Sequence, residues 1–186
     1  MGSVIDIAVT LFLLGIVILL GLLLYTVLFH AWWRVPYVPT PMSIVRVMVQ
    51  VANLKPGDTV MDLGAGDGRL LRTAKKAEPG ITAIGYEGAF FVWWWGKLKN
   101  VLSGRTDIRW YRKNFLVEDL SEADVIFTYL TMDTMKKLLG KFRRELRPGT
   151  RIVTHAFRLP DIEPTEKQQV KGIVGGKSNV YLYVWK

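Results

Sequence analysis

An acidic residue followed by three alternating glycines is the feature that most constrains the fold of this chain. Residues 58–63 have the composition of a β-strand, and Gly64, Gly66 and Gly68 follow them directly. Glycine adopts left-handed backbone conformations and lets the backbone approach a ligand closely. A dinucleotide loop has the spacing Gly-x-Gly-x-x-Gly, whereas here the spacing is Gly-x-Gly-x-Gly with Asp62 two residues ahead. The pattern therefore predicts a nucleotide-type loop at the end of a first strand.

A second carboxylate ends the next predicted strand. Residues 81–87 are again typical of a β-strand, and they finish in Glu87. A carboxylate accepts hydrogen bonds from both hydroxyls of a ribose. The alternative is that Asp62 and Glu87 merely end strands and that the glycines only make a turn. The glycine loop alone leaves both interpretations open, but the loop and Glu87 together favour a ligand site.

Strand and helix patterns alternate through the rest of the chain, which indicates an α/β fold with a mostly parallel sheet. Two last strands, joined through Gly175 and Gly176, predict an antiparallel hairpin at one edge. We expect Asp67 to cap the first helix after the glycine loop. The predicted helices cover 42–54, 67–78, 89–102 and 133–146, and the predicted strands cover 58–63, 81–87, 108–111, 123–130, 151–157, 170–174 and 179–185.

The N-terminal segment predicts a transmembrane helix. No charged residue occurs from Ile7 to Phe29, a stretch long enough at about 1.5 Å per residue to cross a hydrocarbon core of roughly 30 Å. A cleaved signal peptide is the alternative, but no Lys or Arg precedes the segment, and Trp32, Trp33 and Arg34 replace a small-residue cleavage site. With His30, these residues fit an aromatic belt at the membrane surface.

The distribution of charge predicts the orientation of this helix. All 25 Lys and Arg residues lie from Arg34 onward, and Asp6 is the only charged residue before the helix. The positive-inside rule therefore places residues 35–186 on the cytoplasmic side of the membrane. The formal net charge of +9 suits anionic lipid headgroups, although a simply solvated basic surface explains it too. Charge alone does not indicate a nucleic-acid partner, and we expect none.

The composition excludes several kinds of site. Cysteine is absent, so the chain forms no disulfide, thiol nucleophile or thiolate metal site. His30 and His155 are the only histidines, which disfavours a histidine-based metal centre, and we expect no metal. Residues 35–186 are enough for one domain with a hydrophobic core.

Asp62 and the glycine loop resemble motif I of class I AdoMet-dependent methyltransferases, which have a Rossmann-like sheet of seven strands. The resemblance implies that S-adenosyl-L-methionine is the cofactor, with Asp62 near its ammonium group and Glu87 on its ribose. Asn114 stands where many members place an acid that contacts adenine, and Phe115 is a candidate to flank the base. Residues 114–122 are too few for a full crossover helix, so the fold looks like a small version. The expected cofactor-binding residues are Asp62, Gly64, Ala65, Gly66, Gly68, Glu87, Asn114 and Phe115.

The order of features along the chain resembles a narrower family. An apolar N-terminal helix, then Pro-Tyr-Val-Pro-Thr-Pro at 36–41, then the glycine loop and Gly-Tyr-Glu at 85–87 are similar to membrane-anchored protein-lysine methyltransferases. Those enzymes modify the c-ring protein of ATP synthase or the adenine nucleotide translocase. The resemblance implies an anchor over 1–34, a pre-methyltransferase segment over 35–57 that folds over the cofactor pocket, and a methyltransferase domain over 58–186. The alternative for the proline-rich part is a stiff linker with Tyr37 packed at the membrane surface.

Lysine methylation requires a neutral ε-amine, although the usual pKa of lysine is near 10.4. Burial in an aromatic channel lowers that pKa by penalising the charged form. Tyr129, at the end of the fourth strand, is the first candidate to line such a channel, and Tyr37 is the second. Ordinary core packing is the alternative for each. We expect no catalytic role for His155, because a histidine near a strand end is more often a packed residue.

Other substrates stay open at this point. A membrane lipid or a quinone explains the membrane helix equally well and is the second candidate after a membrane-associated protein. An RNA methyltransferase is less favoured, because no Asn-Pro-Pro-Tyr-like motif follows the fourth strand. A protein that binds AdoMet without turnover is a further alternative.

An aromatic block opens the helix predicted over 89–102. Phe90, Phe91 and three tryptophans at 93–95 occur in six consecutive residues, followed by Lys97 and Lys99. A helix has 3.6 residues per turn, so these side chains cannot all face one core. We expect some of them to reach the surface and to contact the bilayer or a membrane substrate. A buried groove wall is the alternative.

Overall fold

A computed structural model describes residues 4–33, 37–172 and 175–186. The chain divides into two compact units, Met1–Pro36 and Tyr37–Lys186.

The described residues of the first unit form one long helix, α1 (Val4–Trp33). Its segment Asp6–Leu28 has 23 residues and a mean hydropathy of 3.1, and none of its most apolar window is buried. The hydroxyls of Thr10 and Thr26 donate to backbone carbonyls four residues earlier, at 2.7 and 2.9 Å, so neither needs water as a partner. The prediction of an aromatic belt concerns the side chains of His30, Trp32, Trp33 and Arg34, which lie outside the described part of the structure.

The second unit alternates strands and helices, as the sequence predicts. Its elements are α2 (Met42–Ala52), β1 (Thr59–Leu63), α3 (Arg69–Ala77), β2 (Thr82–Tyr86), α4 (Phe90–Leu102), β3 (Arg109–Tyr111), β4 (Val125–Thr128), α5 (Met132–Glu145), β5 (Arg151–His155), β6 (Glu166–Lys171) and β7 (Lys177–Val184).

All seven strands form one sheet in the order β3-β2-β1-β4-β5-β7-β6. The five strands from β3 to β5 are parallel, while β7 is antiparallel to both of its neighbours. The strand order reverses between β1 and β4, and this reversal creates the crevice where such sheets bind ligands. The predicted fold class, a mostly parallel class I methyltransferase sheet with an antiparallel hairpin at its edge, is confirmed.

Helix α2 belongs to the core of the second unit, although it precedes β1. Its buried face includes Ile44, Val45 and Met48, which pack in the same cluster as Val60 of β1 and Val153 of β5. Burial of such side chains contributes roughly 1.5–3 kcal/mol each. The residues just before the first strand therefore help to hold the sheet together.

Arg151 fixes the end of this helix to two strands. Its Nη2 forms an ion pair with Oδ2 of Asp58 at 2.6 Å, and its Nη1 donates to the carbonyl oxygen of Ala52 at 2.7 Å. Because the side chains of Arg151 and Asp58 are both largely buried, removal of one would leave the other as a desolvated charge without its partner.

Two sequence predictions are wrong in detail. The residue that caps α3 is Gly68, in a left-handed conformation, and not Asp67. Oδ1 of Asp67 accepts the N–H of Arg69, the first residue of α3, at 3.2 Å, and the same carboxylate forms ion pairs with the side chains of Arg69 and Lys99. Strand β6 covers Glu166–Lys171 rather than 170–174, because an exposed edge strand is rich in polar residues and gives a weak apolar signal.

Candidate active site

The glycine loop lies at the carboxyl ends of the central strands. Leu63 of β1 pairs with Tyr86 of β2 and with Thr128 of β4. Immediately after Leu63, the N–H groups of Gly64 and Ala65 both donate to the carbonyl oxygen of Tyr86, at 3.0 and 2.9 Å. The loop is thus hydrogen-bonded to the neighbouring strand and held beside the point where the strand order reverses.

Each of the three glycines has a positive φ, +80° at Gly64, +58° at Gly66 and +77° at Gly68. Side chains with a Cβ rarely adopt this conformation, so glycine is required for the path of the loop. A Cβ at Gly66 would also lie only 2.9 Å from the ring of Tyr37. Protein side chains already occupy the space that a Cβ would need at each glycine, and of the three only Gly64 is exposed.

Glu87 is fixed directly beside this loop. Its Oε2 accepts the N–H of Gly66 at 3.0 Å, and its Oε1 accepts the N–H of Ala89 at 2.8 Å. A carboxylate has about four acceptor positions, and in nucleotide sites such a group accepts hydrogen bonds from the hydroxyls of a ribose. The structure brings Glu87 and the glycine loop together, as the sequence predicts.

Asp62 is a buried carboxylate at the end of β1, with a side chain that is only 5% exposed. Burial raises the pKa of Asp62 to about 8, and the neighbouring carboxylates Glu87 and Asp67 add to the effect. Its charged form is therefore costly until a cation lies nearby. A buried carboxylate of this kind fits the ammonium group of AdoMet.

The proline-rich segment reaches the loop. The ring of Tyr37 packs on Gly66, and Nη1 of Arg69 donates to the carbonyl oxygen of Thr40 at 2.9 Å. Burial and the charge of Asp67 raise the pKa of Tyr37, so its phenol stays protonated. Tyr37 therefore lies against the glycine loop, and the covering role of a pre-methyltransferase segment stays a prediction.

Asp67 holds this arrangement through two cations. Arg69 donates to both of its oxygens, at 2.8 and 2.9 Å, and Nζ of Lys99 donates to Oδ2 at 2.7 Å. Although burial raises the pKa of Asp67, the hydrogen bonds from Arg69 and Lys99 hold it far below the usual range. Sequence reasoning missed this role, because Lys99 is distant along the chain.

Trp110 of β3 supports the loop from beneath. Its indole fills a slot where Gly85 and Gly96 have no side chain, and a Cβ at either position would collide with the ring. Its Nε1 donates to the carbonyl oxygen of Trp93 at 2.9 Å. A Cβ at Gly96 would also approach the carbonyl oxygen of Gly66 to 3.0 Å. Helix α4 and the glycine loop therefore pack backbone to backbone.

An aromatic surface occupies the ends of β4 and β5. The ring centroid of Tyr129 lies 4.4 Å from that of His155 and 6.4 Å from that of Phe157, with the Tyr129 and Phe157 planes only 18° apart. Phe157 is 38% exposed, so part of its ring reaches the surface. The sequence predicts Tyr129 at this surface but not Phe157, because no local pattern distinguishes Phe157 from a core residue.

His155 is a buried neutral base behind this surface. Its ring is 2% exposed, and Nε2 lies 3.1 Å from Oγ of Ser178. Burial lowers the pKa of His155 to about 4, so the imidazole carries no charge near neutral pH. The geometry supports a packing role behind Tyr129.

Asn114 and Phe115 follow β3 in a connection without a helix among its described residues. Oδ1 of Asn114 accepts the N–H of Leu116 at 3.0 Å, which leaves one lone pair of that oxygen. Both residues are partly exposed. Their predicted contacts with adenine stay predictions.

Within the described part of the chain, no group of three or more His, Cys, Asp or Glu residues has the arrangement of a metal site. The groups that the chain presents at the crevice are carboxylates, backbone amides and aromatic rings.

A match to a known protein family shows to which family the chain belongs. Residues 62–166 match the family described as the ANTKMT methyltransferase domain, and the match begins at Asp62. The chain belongs to this methyltransferase family. Among its relatives, a protein-lysine N-methyltransferase of Saccharolobus islandicus (strain REY15A) is 39% identical over 160 residues, which cover 81% of this chain and 94% of the relative.

Two vertebrate relatives are more distant. The human lysine N-methyltransferase of the ATP synthase C-subunit is 26% identical, with 69% of this chain and 54% of the relative covered. The mouse adenine nucleotide translocase lysine N-methyltransferase is 28% identical, with 81% and 63% covered. The chain thus spans somewhat more than half the length of each vertebrate relative.

The solved structures agree with the fold. An RNA methyltransferase from Salinibacter ruber, in complex with S-adenosyl-L-homocysteine, superposes with a TM-score of 0.73 and 28% identity, covering 79% of this chain and 93% of that one. The protein is thus an AdoMet-dependent methyltransferase of a protein-lysine methyltransferase family. AdoMet supplies the electrophilic methyl group on its sulfonium, and the chain supplies binding, orientation and exclusion of water.

Proposed function

We propose that this protein is a membrane-anchored methyltransferase that acts on a lysine ε-amine of a membrane-associated protein. The observation that carries the proposal is the exposed apolar segment Asp6–Leu28 on the chain that also holds the AdoMet crevice. Two of the relatives are lysine methyltransferases named for the ATP synthase C-subunit and the adenine nucleotide translocase, which supports a substrate in or at a membrane.

The proposed organisation is an anchor over 1–34, a pre-methyltransferase segment over 35–57 and a methyltransferase domain over 58–186. The excess of Lys and Arg after the apolar segment favours a cytoplasmic position for the two latter parts. The contact of Tyr37 with Gly66 supports a covering role for the pre-methyltransferase segment.

In the proposed binding mode, Asp62 pairs with the ammonium group of the cofactor and Glu87 accepts the ribose hydroxyls. Asn114 and Phe115 bind the adenine. The backbone from Gly64 through Ala65 to Gly68 forms the surface beneath the methionine part. The burial of Asp62 strengthens its interaction with a cation, because a low local dielectric strengthens Coulomb forces.

The proposed lysine path runs along the aromatic surface. Tyr129 and Phe157 present stacked rings at the crevice, and Tyr37 borders it from the side of the glycine loop. Aromatic walls desolvate the ε-amine, which lowers its pKa and favours the neutral nucleophile. The residues act by positioning and desolvation, and the neutral His155 holds Tyr129 from behind.

Two other substrates have specific support. A membrane lipid or a quinone would use the same anchor and a basic surface. An RNA substrate has the support of the Salinibacter ruber neighbour, which is described as an RNA methyltransferase. The lysine substrate is favoured because the more similar relative, at 39% identity, is named a protein-lysine N-methyltransferase.

The test is to incubate the protein with tritium-labelled AdoMet and membranes of the source organism, and to sort the label into protein, lipid and RNA. Asp62→Asn, assayed at pH 8 with AdoMet below its Kd for this variant, is the variant expected to lose activity. The matched control is Asp161→Asn, the same change at an exposed loop residue with a positive φ that asparagine tolerates.

The proposal expects label in protein for the wild type and for Asp161→Asn, and loss of label for Asp62→Asn. Label only in the lipid extract would assign the activity to a lipid or quinone, and label that ribonuclease releases would assign it to RNA. AdoMet binding without label in any fraction would indicate a protein that binds the cofactor without turnover.

A further inference from the structure

Helix α4 turns an apolar face to the outside of the domain. Its buried residues Val92, Gly96 and Asn100 are spaced four apart and mark the side that packs inward. At 100° per residue, the opposite side is apolar apart from Lys97, which lies at its edge. We call this side the α4 face, and it consists of Phe90, Phe91, Trp94, Trp95, Leu98, Val101 and Leu102.

This face is accessible in the described structure. Trp94 is 52% exposed and Leu102 is 77% exposed, and Phe90, Trp95 and Val101 also count among the exposed large apolar residues. The expectation from sequence that some of these aromatics reach the surface is therefore confirmed. The alternative expectation, that the block forms a buried groove wall, is wrong for Trp94 and Trp95.

Another helix of the same domain shows the usual arrangement. The exposed residues of α5 include Asp133, Lys136, Lys137 and Arg143, so its outward side is charged. A surface helix normally has a polar outward side. The α4 face departs from that rule, and contiguous exposed apolar patches mark interaction sites.

Cations border the α4 face. Nζ of Lys97 lies 5.4 Å from the ring centroid of Trp93, Nζ of Lys99 lies 5.1 Å from that of Trp95, and the guanidinium of Arg112 lies 5.4 Å from that of Phe90. From residue 88 to residue 106 the sequence has no Asp or Glu. An apolar, Trp-rich centre with a cationic border is complementary to an anionic bilayer surface.

We propose that the α4 face inserts into the headgroup region of a bilayer that contains anionic lipid. The inference rests on the proposed membrane location of the protein. Trp94 and Trp95 lie at headgroup depth, Val101 and Leu102 reach the acyl boundary, and Lys97 and Arg112 bind lipid phosphates.

Docking by this face places the active site at the bilayer surface. The first turn of α4 follows Ala89, whose N–H donates to Oε1 of Glu87, and Gly96 packs against the carbonyl oxygen of Gly66. The ribose carboxylate and the glycine loop are thus attached to the docking helix. A lysine that emerges from the membrane within a few residues of its span would meet the crevice without a long approach.

The absence of cysteine allows a direct test on the full chain. A nitroxide is attached to Leu102→Cys, and in a second protein to Lys137→Cys, an exposed position on α5. Each protein is reconstituted in phosphatidylcholine vesicles with and without phosphatidylserine. Electron paramagnetic resonance measures nitroxide collisions with oxygen, which concentrates in the bilayer, and with a neutral nickel chelate, which stays in water.

The proposal expects the Leu102 label to show a several-fold higher ratio of oxygen to nickel collisions than the Lys137 label in anionic vesicles. The ratio of oxygen to nickel collisions at the Leu102 label should decrease when Lys97→Glu is introduced or when the salt concentration is high. Equal ratios at both positions would refute the proposal. A Leu102 label that both reagents reach poorly would also refute it, because the face would then be covered by protein.

The same samples separate this inference from the proposed function. Binding of S-adenosyl-L-homocysteine to each nitroxide-labelled protein shows that the domain is folded. Transfer of tritium from labelled AdoMet to lysine tests the enzyme activity. A Leu102 label in water together with active lysine methylation would remove the docking surface and leave the proposed function intact. A Leu102 label in the bilayer without lysine methylation would remove the proposed function and leave the docking surface intact.

Discussion

The titration of Asp62 links cofactor binding to pH. This side chain is 5% exposed, and burial followed by repulsion from Glu87 and Asp67 raises its pKa to about 8. Only the ionised form pairs with the ammonium group of AdoMet. At pH 6 about 1% of the protein carries this charge, and at pH 8 about half does. The affinity for AdoMet should therefore rise about fifty-fold between these pH values through this group.

Asp62→Asn is the matched variant, because it keeps the shape and removes the charge. At pH 6 the wild type and Asp62→Asn should bind AdoMet with similar Kd, and the ratio of the two Kd values should grow to about fifty at pH 8. The amine of AdoMet titrates equally against both proteins, so the ratio isolates the carboxylate. Isothermal titration at pH 7 in phosphate and in Tris should also detect close to one proton released on binding to the wild type only.

The same shift predicts an opposite effect on stability. The folded-state pKa of Asp62 lies above its ordinary value of 3.8, so ionisation costs free energy in the folded protein as pH rises from about 4 to 8. Asp62→Asn should therefore raise Tm at pH 8 and change it little at pH 4. A Kd ratio that is constant from pH 6 to pH 8, together with an unchanged Tm difference, would refute a buried titrating carboxylate at this position.

Three further predictions concern the packing around the site. Gly85→Ala should lower the free energy of unfolding by about 1–3 kcal/mol, because its Cβ would overlap the indole of Trp110. In urea titrations, the double variant with Gly85→Ala and Trp110→Phe should recover part of this loss. The pKa of His155 is about 4, so the unfolded chain binds a proton that the folded chain does not. Stability should consequently fall as pH drops from about 6.5 toward 4, and thermal melts of His155→Phe should lack this decrease. Tyr129→Ala and Phe157→Ala should each raise KM for a lysine substrate by about tenfold, since an aromatic contact contributes about 1 kcal/mol or more. The Kd for S-adenosyl-L-homocysteine should stay unchanged. An equal loss of cofactor affinity would contradict a role in lysine binding.

The sequence predicts the parts of the fold that depend on local pattern. The spacing of Gly64, Gly66 and Gly68 after an apolar strand is readable because a tight loop demands glycine at those positions. Strand β6 is different, because an edge strand such as Glu166–Lys171 buries little and needs few apolar residues. The sequence does not predict the cap of α3 either, because Gly68 takes that position in a left-handed conformation while Asp67 binds the side chains of Arg69 and Lys99.

The candidate site also has parts that the sequence predicts and parts that it does not. Asp62 and Glu87 stand at strand ends, where parallel strands must converge, so their proximity follows from topology. The bond from Arg69 to Thr40 and the packing of Trp110 under the glycines depend on contacts between residues far apart in sequence. Nothing local identifies them. The position of Phe157 is likewise not predicted by the sequence, since it lies beside Tyr129 in a turn after β5, where its N–H donates to the carbonyl oxygen of His155 at 2.8 Å.

The most direct test of this account is to map the methylated residues in membranes by mass spectrometry. Membranes are treated with AdoMet and either the wild type or Asp62→Asn, and methyl-lysine sites specific to the wild type are located in their proteins. The account predicts methyl-lysine next to the end of a transmembrane segment, on the cytoplasmic side. Methyl-lysine scattered over soluble proteins, or no Asp62-dependent methyl-lysine in any membrane protein, would contradict it.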